Sequence, residues 1–292
     1  MPGPDRDVQV EGVTLRVLEI GDPEGEPVIH FHGTPGSRLE LAWADDVVAK
    51  AGARIIAFDR PGYGGSSPSR FSVGSVAKRA IGLADVVGLD HFRTLGWSGG
   101  GPFALATAAS APHRVDAVGV IAGAGPFQLV PGALDHLSEG DKRAERLLPD
   151  DPEGAAAGFV EGFDMTEALT SPEALYKDFE PLLSEWDRTQ WMAPGHAEAL
   201  LADIREALKP GAWGCAWDNV AWIGPWDVDP TTVSCPVSLW YGSEDRMATP
   251  AHAHWFETNL PNARLTTWDG EGHLLAFAHL SEILEKLLAS SR

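Results

Sequence analysis

The stretch TLGWSGGGPFALATAAS, Thr94 to Ser110, constrains the fold of this chain more than any other. An apolar run of β type leads into a single serine, four glycines crowd that serine, and an alanine-rich run of helical character follows. A strand that passes straight into a helix must turn sharply. The residue at the tip of such a turn projects its side chain into open space only if its neighbours are small. GWSGG, Gly96 to Gly100, therefore reads as a nucleophile elbow with Ser98 at its tip. The helix opening at Gly99 adds free N–H groups and the positive end of its dipole beside the serine oxygen. Gly100 and Gly101 then serve close packing of that helix. The competing reading is a glycine-rich turn capped by serine, and the rest of the chain bears on the choice.

That rest is an alternation. VTLRVLEIG has period two and, after Val8–Val10, reads as the second strand of an antiparallel edge. PVIHFHG, ARIIAFD, FRTLGWS and VDAVGVIAG follow, short and almost wholly apolar, as strands covered on both faces are. Between them, Leu39 to Ala51, Ser75 to Leu89 and Gly99 to Ala111 have helical spacing. The pattern resumes late with PVSLWYGSED, ARLTTWDGEGH and a final helix over Leu280 to Ala289. This predicts an α/β fold, an eight-stranded, mostly parallel sheet flanked by helices. From Phe127 to Asp229 the alternation stops, and helix-like pieces such as EALYKDFEPLLSEW and HAEALLADIREALK take over. The economical division is a core domain of residues 1–126 and 230–292 with a helical insertion at 127–229.

Composition excludes several partners. With 22 basic against 42 acidic residues the formal charge is -20. A phosphate backbone or an anionic membrane surface needs a basic face instead. MPGPDRDVQVEG has no apolar core that could be a leader, and no apolar run is long enough to span a bilayer. Two cysteines, Cys215 and Cys235, make no framework and no zinc motif, so the expectation is reduced thiols in a cytoplasmic protein.

A serine nucleophile needs a base, and the base needs an orienting carboxylate. LWYGSEDRMATP puts Glu244 and Asp245 in the loop after one late strand, and TTWDGEGHLLAF puts His273 in a glycine-flanked turn after the next. Strand ends in an open α/β sheet share one rim, so Ser98, Asp245 and His273 converge there in the chain order such a sheet uses. Glu244 is the reserve for Asp245. His30, His91, His113, His136, His196, His252, His254 and His279 lack the glycine-flanked setting after a strand. Donors for a developing oxyanion come from HFHGTPG, where the N–H of Thr34 faces the site, and from the N–H of Gly99. Pro35 has no N–H, and His32 is a structural residue of the turn rather than a metal ligand. No metal is expected.

These motifs resemble the α/β-hydrolase family over nearly the whole chain. The resemblance rests on HGTPGSR, FDRPGYGGSS, GWSGGG, YGSEDRMATP and GEGH in that order. It implies that residues 127–229 form the family's helical cap, inserted between the sixth and seventh strands. Branches with an aspartate nucleophile, the haloalkane dehalogenases and epoxide hydrolases, are disfavoured by Ser98. Proline iminopeptidases share an HGGPG-like turn, but Trp97 here precedes the serine, where theirs follows it. The expected activity is hydrolysis of small carboxylic esters or lactones through an acyl-enzyme, without metal or organic cofactor. An aminopeptidase or amidase, and a non-hydrolytic ligand-binding or cyclase member of the fold, are the alternatives. Six of the eleven tryptophans fall in 127–229, which suggests a neutral, apolar or aromatic small-molecule substrate, with Trp97, Trp186, Trp191 and Trp222 as its binding residues. The competing role for these rings is the core of a small helical layer. Glu161, Asp164, Glu180 and Glu185 are candidates for binding a substrate amine.

Overall fold

In the computed structural model, which describes residues 4–290, eight strands form one sheet in the order β1-β2-β4-β3-β5-β6-β7-β8. They are β1 Asp5–Val10, β2 Val13–Gly21, β3 Glu26–Phe31, β4 Ala53–Phe58, β5 Phe92–Trp97, β6 Val115–Ile121, β7 Val237–Gly242 and β8 Ala263–Trp268. β2 alone runs antiparallel to the other strands, pairing β1 on one side and β4 on the other, and every pair from β4 to β8 is parallel. The apolar runs lie at the centre, where β4, β5, β6 and β7 are buried almost throughout. β8, the outer strand, is half-exposed.

Helices α1 Asp45–Lys50, α2 Val73–Val86, α3 Gly101–Ser110, α10 Pro250–Asn259 and α11 Leu275–Ala289 cover the two faces. α2, α3 and α10 bury Val76, Ala77, Phe103 and Phe256 against one face. α1 and α11 bury Val48, Leu280, Ile283, Leu284 and Leu287 against the other. α2 starts sharply because Ser72 and Ser75 cap each other, each side chain meeting the other's backbone N–H. α11 begins five residues earlier than its periodicity predicts, at Leu275, directly after the His273 turn.

Six helices fill the span between β6 and β7: α4 Glu139–Glu145, α5 Pro152–Gly162, α6 Pro172–Phe179, α7 Glu185–Trp191, α8 His196–Ala207 and α9 Trp213–Ile223. EALYKDFEPLLSEW is two helices rather than one. α6 ends before Pro181, which allows only a short 3₁₀ turn, and Ser184 then caps α7. This span meets the sheet at the loops that follow β3, β4 and β8, all at strand C-terminal ends.

Candidate active site

β5 passes into a 3₁₀ turn, Ser98–Gly100, and then into α3. Ser98 has φ of +51°, a left-handed conformation that costs a non-glycine residue free energy and persists only where its surroundings hold it. What holds it is proximity. A Cβ on Gly100 would lie 1.9 Å from the Phe31 carbonyl oxygen, and one on Gly96 would lie 2.5 Å from that of Gly100. The helix therefore starts flush against β3, and the serine side chain turns outward, half-buried.

After β7, Asp245 is buried, and its Oδ1 accepts the N–H groups of Met247 (2.8 Å) and Ala248 (2.9 Å). Its Oδ2 lies 2.8 Å from His273 Nδ1. Glu244, the neighbouring carboxylate, is exposed, and its N–H is tied to Glu271. His273 is itself buried, and its carbonyl accepts the indole N–H of Trp97, the residue before Ser98, at 3.3 Å. Burial disfavours the imidazolium, but the charge of Asp245 and its hydrogen bond outweigh burial and raise the His273 pKa. With Nδ1 engaged, Nε2 is the nitrogen free to exchange a proton.

The turn after β3 is held from two sides. Gly33 donates its N–H to Glu40 Oε1 at 2.6 Å, and Glu40 Oε2 meets His30 Nε2 at 2.7 Å. On the other side, the Gly33 carbonyl meets His32 Nδ1 at 2.7 Å and accepts Arg60 Nη2 at 3.0 Å. His32 Nε2 accepts the Arg60 N–H at 3.1 Å, so Nδ1 carries the ring proton. Burial, followed by the charge of Arg60, pushes its pKa well down and keeps it neutral. A Cβ on Gly33 would lie 3.4 Å from Ser98 Cβ, and one on Gly99 would lie 2.7 Å from both Thr34 Oγ1 and Trp222 Cζ2. The structure thus brings Thr34, Gly99 and Trp222 together beside Ser98. Among the described residues, the N–H groups of Thr34 and Gly99 have no hydrogen-bond acceptor.

The other three tryptophans make different contacts. Trp97 packs edge-on against Phe277 in the core. Trp191 is buried among Tyr176 and Phe179. Trp186 lies parallel to His279, which in turn stacks on Trp268. Of the candidate amine binders, Asp164 caps its own turn through Thr166, and Glu161 and Glu185 are exposed. Glu180 lies beside Arg188 and Tyr176.

Sequence reasoning passed over three buried aspartates from the helical span. Asp187 in α7 accepts the Leu274 N–H at 2.8 Å, immediately after His273, and both N–H and hydroxyl of Ser184. Asp203 in α8 takes the N–H and hydroxyl of Ser37 at 2.9 and 2.5 Å. Burial and the nearby Glu40 charge raise its pKa well above the usual carboxylate range. Asp218 in α9 accepts Arg60 Nε (3.0 Å) and Nη2 (2.5 Å), the Tyr63 hydroxyl (2.5 Å) and the Thr34 hydroxyl. A signal existed for the third, since Asp218 is the single charge in the otherwise uncharged run WGCAWDNVAWI. Among the described residues no group of His, Cys, Asp or Glu is arranged to hold a metal ion, and no helix is long and apolar enough to cross a membrane.

A mostly parallel eight-stranded sheet, covered on both faces and carrying a strained serine where its central strand meets a helix, defines an enzyme of the hydrolase class. More particularly, the chain belongs to the alpha/beta hydrolase fold family, whose model matches residues 26–280. It is 30% identical over 229 residues to a pimeloyl-[acyl-carrier protein] methyl ester esterase of Aromatoleum aromaticum, across 78% of this chain and 84% of that one. It is 26% identical over 282 residues to a 2-hydroxy-6-oxononadienedioate/2-hydroxy-6-oxononatrienedioate hydrolase of Burkholderia vietnamiensis, across 92% and 88% of the two chains. Among solved structures its fold is similar to that of an enol-lactonase from Burkholderia xenovorans, with a TM-score of 0.69 at 18% identity over 97% of this chain and 98% of that one.

Proposed function

We propose that this protein hydrolyses small carboxylic esters or lactones through an acyl-enzyme on Ser98. The observation that carries the reading is the buried Asp245–His273 pair, 2.8 Å apart, whose histidine is hydrogen-bonded to the residue preceding Ser98. In this mechanism His273 Nε2 takes the Ser98 proton as Oγ attacks the substrate carbonyl. Asp245 fixes the tautomer and stabilises the imidazolium, and the N–H groups of Thr34 and Gly99 receive the oxyanion. His273 then protonates the leaving alcohol and later activates water against the acyl-enzyme. No step calls for a metal or an organic cofactor.

Residues 127–229 serve as a cap over the core of residues 1–126 and 230–292, and Trp222 is the ring of that cap best placed to contact substrate. Its position over Gly99 and Thr34 favours a neutral substrate with an apolar or aromatic face. Esterase and hydrolase names among the relatives support the same class of bond. The two cysteines, both buried, fit a reducing compartment such as the cytoplasm.

The test is hydrolysis of p-nitrophenyl esters from acetate to dodecanoate, with a prolyl p-nitroanilide beside them, by wild type and Ser98→Ala. Ester turnover with an optimum chain length, abolished in Ser98→Ala, is the expected result. Turnover of the anilide alone moves the protein to the peptidases, and ester turnover that survives Ser98→Ala removes the acyl-enzyme.

A further inference from the structure

The Gly33–Thr34 peptide decides where one proposed oxyanion donor points. It is trans, so its C=O and its N–H point in opposite directions. Its carbonyl is anchored by Arg60 Nη2 and His32 Nδ1. Arg60 Nη1 also donates to the preceding carbonyl, that of His32. Two successive carbonyls are thus held on the Arg60 side, and the Thr34 N–H is left facing away from it, on the side where Gly33 meets Ser98.

Arg60 is fully buried, and a buried guanidinium keeps its place only with a counter-charge. Asp218 supplies that charge, engaging Nε and Nη2 together in a fork. The same carboxylate accepts the Thr34 and Tyr63 hydroxyls, so it grips the turn directly as well as through the arginine. Asp218 belongs to α9 of the helical span, whereas every group it holds belongs to the loops after β3 and β4.

We infer that Arg60 and Asp218 are a positioning pair for the oxyanion donor of Thr34, so that the helical span completes the catalytic site. Neither residue touches the reacting atoms; both act through the Gly33–Thr34 peptide. The inference rests on the proposed acyl-enzyme reading and adds to it a reason why the core alone is not competent.

Arg60→Lys is the discriminating variant. Lysine keeps the charge for Asp218 but cannot bind two carbonyls and a carboxylate in one plane. A donor turned out of line weakens the transition state, not the bound ester. The expected result is a kcat lower by about 10- to 100-fold with KM unchanged. The Ki of a trifluoromethyl ketone, which forms a tetrahedral oxyanion on a serine, rises by the same factor. The acid limb of the pH–rate profile stays in place, because His273 is untouched. Tyr63→Phe, which removes one of Asp218's partners and no charge, gives a smaller loss with the same kcat-to-Ki correspondence, and reads out the pair if Arg60→Lys does not fold. A folded Arg60→Lys or Tyr63→Phe enzyme with wild-type kcat and Ki overturns the inference, as does a loss confined to KM. Ser98→Ala, measured in parallel, separates the two claims. If it stays active, the acyl-enzyme reading fails. If it is inactive while Arg60→Lys matches wild type, only the positioning pair fails.

Discussion

Ser98 and His273, the proposed nucleophile and base, are held by opposite kinds of constraint, one steric and one electrostatic. The serine is strained by a turn that leaves no room for a Cβ at Gly100, so the motif cannot relax without parting α3 from β3. Gly100→Ala forces a methyl group onto backbone that cannot move aside. It should destabilise the protein by about 3 kcal/mol or more, the upper end of ordinary overpacking, seen as a fall in the urea midpoint. His273 is governed by Asp245, whose charge lifts its pKa above the ordinary value of 6.5 despite burial. A base works only when unprotonated, so kcat/KM should be full above that raised pKa and fall as pH drops through it. Asp245→Asn removes the charge, moves that acid limb to lower pH, and reduces kcat by about 10⁴-fold through the wrong tautomer. The placement of these candidates after strand ends was legible in the sequence because each strand run there passes into glycine, where geometry permits few residue types. Asp245 is separated from Glu244 by burial and by its hydrogen bond to His273, which the sequence indicated only through position in the loop.

At the scale of elements, the recurring device is one buried aspartate per helix. α7, α8 and α9 each lower a carboxylate, Asp187, Asp203 and Asp218, onto the loops around the site. In each case its oxygens accept hydrogen bonds from the sheet's loops, as buried carboxylates must. Asp187 shows the consequence for catalysis. It is the N3 residue of a capping box with Ser184 and also fixes the N–H that follows His273. Asp187→Ala leaves a buried N–H unpaired and loses half a cap. The expected cost is about 2–4 kcal/mol, read by chemical denaturation, with kcat falling while the acid limb of the pH profile moves down as a nearby negative charge is lost. The sequence displayed α8 through its periodicity, but α9 was missed for a physical reason. Eight of its eleven residues are buried, so it shows no polar stripe to set a 3.6-residue period. The same blindness applies to the tryptophans. A ring in a helical layer looks alike in sequence whether it faces substrate, as proposed for Trp222, or packs on Tyr176 and Phe179, as Trp191 does.

Over the whole molecule, the mostly parallel sheet followed from the alternation of runs because parallel strands need helical crossovers, and the antiparallel edge showed in the period-two run of β2. What remains is the net charge of -20, which gives the molecule as a whole a negative potential. That potential acts on substrates before they bind and is screened over about 10 Å at 0.1 M salt. Three p-nitrophenyl esters of similar acyl size, one neutral, one with a quaternary ammonium and one with a carboxylate, isolate this effect. For the neutral ester kcat/KM should be flat between low and moderate ionic strength. For the cationic ester it should start higher and fall as salt is added, and for the anionic ester it should start lower and rise. A carboxylate ester that outpaces the neutral one at low salt would mean that a local cationic contact overrides the global field. Arg38 and Arg60, the two buried arginines among the described residues, are both paired with acids, so the global field is expected to prevail.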